Sequence, residues 1–368
     1  MEPDRFATRT AAAVLVAVGV AAPAVAADAP PLGRYAIDRG AISISGVSSG
    51  GYLAQQVHVA HAATVAGAGI VAAGPYRCAG GGYPLSVVRA TTVCMDPGRL
   101  LPFRGPPAAA ASIEETRALA AAGAIDDPAN LAGDRVYLFS GRLDRTVPQA
   151  VTDSLETYYR AFVRPENIHY VANIRAGHAM ITDGVGNPCA TSEPPFVNDC
   201  GYDAAGELLQ VIYGVLAPPV APDGQLLAFD QGEFATDPAA LSMARVGYVY
   251  VPKACAAGDP CRLHVALHGC RQHLAAIGDA FTAGAGYNRW AEANAIVVLY
   301  PQAAPRTTTL FGLELPWPNP LGCWDWWGFT GPDYAVRRGG QIAAIKAMID
   351  RLADDRPAAA RPERVGIR

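Results

Sequence analysis

Ala41-Ile42-Ser43-Ile44-Ser45-Gly46-Val47-Ser48-Ser49-Gly50-Gly51-Tyr52 is the stretch that decides the fold. Residues 41–45 alternate in the two-residue period of a strand, and the residues from Gly51 onward read as a helix. Between them, Gly46-Val47-Ser48-Ser49-Gly50 has the form G-x-S-x-G. Such a turn between strand and helix holds its serine strained, lets the hydroxyl project past small neighbours and faces it with the helix N-terminus. Ser48 is therefore the candidate nucleophile.

A serine hydroxyl attacks only when an imidazole accepts its proton, and the imidazole needs a carboxylate to fix its tautomer and stabilise its cation. Val136-Tyr137-Leu138-Phe139-Ser140-Gly141 reads as a buried strand ending in a turn, with Asp144 just beyond it. Ligands of open α/β folds bind at that edge of the sheet, so Asp144 is the candidate acid. The next predicted strand runs into Gly177-His178, which makes His178 the candidate base. The order Ser48, Asp144, His178 is that of α/β-hydrolases. Each motif alone is weak in a chain with 38 glycines, and an aspartate after a strand is more often a helix cap. Their common placement after strands carries the assignment.

Acyl transfer also requires donors aimed at the oxyanion, usually the amide after the nucleophile and one from the loop after another strand. Ser49 supplies the first. The second matches His268-Gly269-Cys270, which follows a predicted strand at 263–267 and makes the Cys270 amide the second donor. That loop normally precedes the nucleophile, and here it comes late. The order predicts a circularly permuted α/β-hydrolase fold, a mostly parallel sheet with helices on both faces.

Further strands are expected at 65–72, 135–139, 168–174, 246–251 and 295–300, and helices at 49–61, 112–122, 150–163, 204–213, 283–294 and 339–352. The Pro-rich stretch 217–224 cannot continue a helix or enter a central strand, and it reads as a surface crossover within one catalytic domain spanning 28–352. Residues 353–368 mix proline, alanine and charge without periodicity and read as a disordered tail.

A net charge of −4 over 368 residues, with no basic block, excludes an electrostatic footprint for nucleic acid. Residues 1–27 place two arginines before an apolar run and close on Ala24-Val25-Ala26, the pattern of a cleaved secretory signal. The run is shorter than the about 20 residues of a spanning helix, so no membrane span is expected after its removal. The protein is expected to be secreted, extracellular or periplasmic.

An oxidising compartment favours disulfides over metal thiolates. Of the eight cysteines, proximity pairs Cys78 with Cys94, Cys189 with Cys200 and Cys255 with Cys261, leaving Cys270 and Cys323, although spacing alone does not determine connectivity. No C-x-x-C is present, and His58 and His61 lack a third ligand at suitable spacing, so no metal is expected. No chemistry is assigned to His169, His264 or His273. Cys323-Trp324-Asp325-Trp326-Trp327-Gly328 places three tryptophans in four residues. They read either as ordinary core or as an apolar platform at the mouth of the site. Trp324, Trp326 and Trp327, with Tyr52 and His268, are the candidate substrate-binding residues.

The elbow at 42–52, the Gly177-His178-Ala179-Met180 loop, His268-Gly269-Cys270 and the Trp-rich segment together resemble the single-domain, circularly permuted polyhydroxybutyrate depolymerases over nearly the whole chain after the signal. The resemblance implies the triad and oxyanion donors named above, a tryptophan in the substrate crevice, no cofactor, and hydrolysis of short-side-chain polyhydroxyalkanoates to oligomers and monomer. Nothing after residue 352 is long enough for a separate polymer-binding domain. The rival readings are a feruloyl, acetyl or synthetic-polyester esterase with the same chemistry, and a catalytically silent binding protein that uses only the Trp-rich segment. Oligomeric state is not legible in the sequence.

Overall fold

The computed structural model describes residues 29–98, 105–310 and 313–354. The expected signal and all of the expected tail but its first two residues lie outside these. Ala353 is fully buried and Asp354 pairs with Arg34 at 3.3 Å, so the packed chain continues past the expected boundary at 352.

One eight-stranded sheet organises the molecule. Its strands are β1 (Ile37–Val47), β2 (Gly67–Val71), β3 (Arg135–Phe139), β4 (Ile168–Val171), β8 (Gln225–Asp230), β9 (Val246–Val251), β10 (Cys261–Leu267) and β11 (Ile296–Tyr300), in the spatial order β4-β3-β2-β1-β10-β11-β9-β8. The six strands from β4 to β11 run parallel, while β9 and β8 close one edge antiparallel. Between β4 and β8 lies a small three-stranded sheet of β5 (Met180–Thr182), β6 (Asn187–Pro188) and β7 (Val197–Asp199), and β12 (Arg306–Leu310) with β13 (Leu313–Asn319) forms an outlying hairpin.

The helices are α1 (Ser49–Ala60), α2 (Leu85–Arg89), α3 (Ala109–Ala121), α4 (Gln149–Tyr159), α5 (Ala204–Tyr213), α6 (Lys253–Ala256), α7 (Leu274–Ile277), α8 (Tyr287–Ala293) and α9 (Gly340–Leu352). No described helix is long and apolar enough to cross a membrane. The alternation of strand side chains explains the layering. Ile42, Ile44, Val136, Leu138, Leu263 and Val265 share one core with Leu53 and Val57 of α1 and Ile345 and Met348 of α9. The intervening Tyr137, Phe139, Val298 and Tyr300 share a second core with Leu208 of α5 and Trp290 of α8. Helices thus cover both faces, as the sequence predicted for an α/β-hydrolase sheet.

On the second face β1 offers Ser43 and Ser45 where an apolar pair would be expected. Both hydroxyls bond the His264 ring, at Nδ1 and Nε2 respectively and each at 2.7 Å, and reach on to Tyr213 (2.6 Å) and Tyr287 (2.8 Å). His264 lies within β10 and is wholly buried, and burial lowers its pKa to about 3. The chain is neutral there and every group in this buried polar set has a partner. The set joins β1 to β10 and to one helix from each half of the chain. The Pro-rich stretch leads from α5 to β8 at the far edge of the sheet and is pinned to α8 on the way, Val220 N–H donating to Arg289 O at 3.1 Å. Four disulfides form, Cys78–Cys94, Cys189–Cys200, Cys255–Cys261 and Cys270–Cys323.

Candidate active site

Ser48 stands between β1 and α1 with φ 56° and ψ −123°, a conformation rarely tolerated by a residue with a Cβ. Two close approaches make the turn possible. A Cβ on Gly46 would lie 2.2 Å from the Gly50 carbonyl oxygen, and one on Gly50 would lie 2.4 Å from the carbonyl oxygens of both Leu267 and His268. The second contact lets the end of β10 press against the first turn of α1. Ser48 N–H donates to Val71 O at 2.9 Å, which hangs the turn on the end of β2. Ser49 opens α1, so its amide is among the first-turn donors without an intrahelical acceptor.

Asp144 and His178 meet beyond the ends of β3 and β4. His178 Nδ1 lies 2.7 Å from Asp144 Oδ2, and both residues are buried. A carboxylate only accepts, so Nδ1 carries the proton and Nε2 remains as the acceptor. The other oxygen, Oδ1, accepts from the amides of Thr146 (2.8 Å) and Val147 (2.9 Å), which holds the carboxylate in one orientation. The two loops are zipped together by Arg142 N–H to Ile174 O (2.8 Å) and Leu143 N–H to Ala176 O (3.0 Å). His178 N–H itself donates to Ser192 Oγ at 2.8 Å.

A cavity of about 200 Å³ brings these parts together: Ser48, His178, Gly269 and Cys270 line it, with Met95, Phe196 and Leu321 as its apolar wall. The parallel register that pairs Gly46 with Leu267 sets Ser48 beside the His268-Gly269-Cys270 loop. Sequence reading missed the residue that braces this loop. Gln272 Oε1 accepts from Gly269 N–H at 2.7 Å, and its Nε2 donates to Pro195 O (3.1 Å) and Phe196 O (2.8 Å). Phe196 O also accepts from Met180 N–H, two residues beyond His178. A glutamine five residues after a strand has no local signature; only the approach of the two loops gives it a role.

Of the two readings of the Trp-rich segment, the burial of its rings favours core. Trp324, Trp326, Tyr52 and His268 are buried and are not among the residues that line the cavity, and Trp327 is half-buried against Trp326 and Phe329. Asp325 is the cause. Its Oδ1 accepts from the amides of Trp327 (3.2 Å), Gly328 (2.7 Å) and Phe329 (3.1 Å), and its Oδ2 from the amide and hydroxyl of Thr330 (2.8 and 2.6 Å). The segment curls around one carboxylate and turns its rings inward, Trp326 stacking on Tyr52 at 4.1 Å. His268 serves as a strut: Ala303 N–H donates to its Nε2 (3.1 Å), so Nδ1 carries the proton and bonds Gly269 O (2.7 Å). Burial lowers its pKa to about 3. His58 bonds Asp134 (3.0 Å) and Tyr159 (3.1 Å), and no grouping able to hold a metal occurs among the described residues.

No family model matches the chain. A poly(3-hydroxybutyrate) depolymerase of Delftia acidovorans is 41% identical over 363 residues, which span 97% of this chain and 68% of that protein. A polyhydroxybutyrate depolymerase of Talaromyces funiculosus is 36% identical over 351 residues, 92% of this chain and 96% of the relative. The crystal structure of the PHB depolymerase from Penicillium funiculosum superimposes with a TM-score of 0.77 at 34% identity, covering 88% of this chain and 98% of the other. A second structure, a PHB depolymerase with a serine-to-alanine substitution complexed with a trimer of 3-hydroxybutyrate, matches with the same TM-score and coverage at 33% identity. Likeness at this level over most of the chain, in sequence and in three dimensions, places the α/β-hydrolase described here by descent as well as by shape: the chain belongs to the polyhydroxybutyrate depolymerase family.

Proposed function

We propose that the chain is an exported serine esterase that hydrolyses the ester bonds of poly(3-hydroxybutyrate), or of related short-side-chain polyhydroxyalkanoates and their oligomers. One observation carries the reading: His178, oriented by Asp144, shares a cavity with Ser48 and Cys270. The Ser48 hydroxyl attacks the ester carbonyl and passes its proton to His178 Nε2. The amides of Ser49 and Cys270 hold the oxyanion. Collapse expels the alcohol end of the chain, protonated by His178. Water, deprotonated by His178 in turn, cleaves the acyl-serine, releases the new carboxylic acid and restores Ser48. Every proton moves between substrate, water and imidazole, so the residues present are sufficient and no cofactor is invoked.

The sheet order supports the permuted arrangement in one catalytic domain. Strands after the Pro-rich crossover lie on one side of β1 and those before it on the other, and the oxyanion loop follows the adjacent β10. Four disulfides support export to an oxidising compartment, and a mature N-terminus near residue 28 would be found by sequencing the exported protein. A polymer is favoured by the hairpin. Leu310, Leu313, Leu315 and Trp317 expose apolar surface there, and β13 runs on to Leu321 at the cavity.

Ser48→Ala is expected to abolish release of hydroxybutyrate from amorphous polymer and from the soluble trimer while the folded protein still adsorbs to polymer. An aryl organophosphonate is expected to label wild type at Ser48 alone. Turnover by Ser48→Ala, or failure of the label, overturns the serine mechanism; preference for feruloyl or acetyl esters over hydroxybutyrate trimer overturns the substrate.

A further inference from the structure

Apart from the His178 imidazole, the cavity beside Ser48 is walled by uncharged groups, with one exception. Arg271 follows Cys270 directly, lines the cavity and is exposed to solvent. Its backbone is held at φ 63°, a region that residues with a Cβ seldom occupy. Its amide donates to Leu321 O at 2.8 Å, and its guanidinium lies 5.1 Å over the Phe196 ring. Backbone and ring together aim the side chain along the rim of the cavity.

Several surface arginines are matched by carboxylates: Arg77 by Glu115, Arg160 by Glu156, Arg337 by Asp126, Arg338 by Asp333 and Arg351 by Glu233. Among the described residues no carboxylate pairs with Arg271. A guanidinium stacked on an aromatic face keeps its N–H edge free for a planar anion, which it can take with two parallel hydrogen bonds.

The chemistry of the substrate supplies that anion. In a chain of 3-hydroxyacids each ester joins the carbonyl of one unit to the oxygen of the next, so the free carboxylate end always lies on the alcohol side of the bond being broken. The Cys270 amide, one residue before Arg271, is where the proposed mechanism places the scissile carbonyl oxygen. We propose that Arg271 is a subsite for the terminal carboxylate of the departing hydroxyacid, selecting oligomers with a free acid end over neutral esters. The contact is non-covalent, and the carboxylate enters and leaves as an anion. This inference rests on the substrate reading above.

The test is steady-state hydrolysis of the 3-hydroxybutyrate trimer as free acid and as its methyl ester, for wild type, Arg271→Gln and Arg271→Lys, with an aryl butyrate as control. Wild type is expected to favour the acid in kcat/KM, chiefly through KM, and the preference is expected to shrink as salt is raised. Arg271→Gln is expected to lose about fivefold of the acid-over-ester ratio, and Arg271→Lys to keep part of it. Absence of the preference in wild type, its survival in Arg271→Gln, or equal losses on acid and methyl ester overturns the inference and leaves the substrate reading standing. Hydrolysis of the aryl butyrate without either trimer overturns both.

Discussion

Gln272 holds together what the chemistry needs to be rigid. One side chain satisfies the amide of Gly269 and two carbonyls on the loop that carries Phe196, so the proposed donor at Cys270 and the proposed base at His178 share a brace. Gln272→Met keeps the length and removes the amide. The expected result is a fall in kcat of about tenfold or more on an aryl butyrate with a smaller change in KM, because a displaced oxyanion donor acts on the transition state. Urea unfolding should also show a loss of about 1–3 kcal/mol from the unsatisfied buried Gly269 N–H. Asp144→Asn tests the other pair. An amide can offer Nδ1 a donor where it needs an acceptor, and kcat is expected to drop by about 10⁴ with the fold retained by circular dichroism. Ser48, Asp144 and His178 could be singled out as candidates because each follows a predicted strand, in the order that α/β-hydrolases use. Gln272 and Arg271 could not, because their roles depend on what the fold brings within 3 Å or 5 Å of them.

Among the elements, the bounds of β3, β9 and α5 coincide with those expected from the sequence, and β1, β10, β11, α1 and α9 differ by a few residues at their ends. These are the buried, strongly patterned segments. The missed ones are short or atypical: β8 is an edge strand with three exposed residues next to the Pro-rich stretch, and β13 carries Pro316 and Pro318, which argue against a central strand but are tolerated in a two-stranded hairpin. The Trp-rich segment stayed open between core and platform because composition shows three large rings and not the carboxylate they curl around. Asp325→Ala should cost at least about 3 kcal/mol in urea unfolding, since several buried amide donors lose their acceptor together. The hairpin carries its own test. Trp317→Ser is expected to lower binding to a polyhydroxybutyrate film more than turnover of soluble trimer, read as the ratio of the two, since Trp317 packs on Tyr83 and remains partly exposed.

The whole molecule should be acid-labile. His264 and His268 are wholly buried and neutral, with pKa lowered to about 3 in the fold, against about 6.5 in the unfolded chain. Below pH 6.5 the unfolded chain takes up protons that the folded chain refuses, so stability is complete above that pH and falls as pH drops towards 3. Two such groups imply a loss of about 4 kcal/mol between pH 7 and pH 5. Urea midpoints across that range should fall, and His264→Gln should flatten the slope even if it starts lower. A flat profile in wild type would show that neither ring is held neutral.

Residues 41–52, 136–144, 175–180 and 263–270 were enough to determine the class of fold, the order of the chemical groups and the family, because strand period, turn chemistry and glycine placement are local properties written in adjacent residues. The parallel pairing of β1 with β10 was decided only in three dimensions. It joins segments about two hundred positions apart, brings the His268-Gly269-Cys270 loop to Ser48, and leaves Arg271 without a carboxylate partner among the described residues. Burial and pairing of side chains far apart in the chain depend on how whole layers pack, and no window of neighbouring residues encodes that.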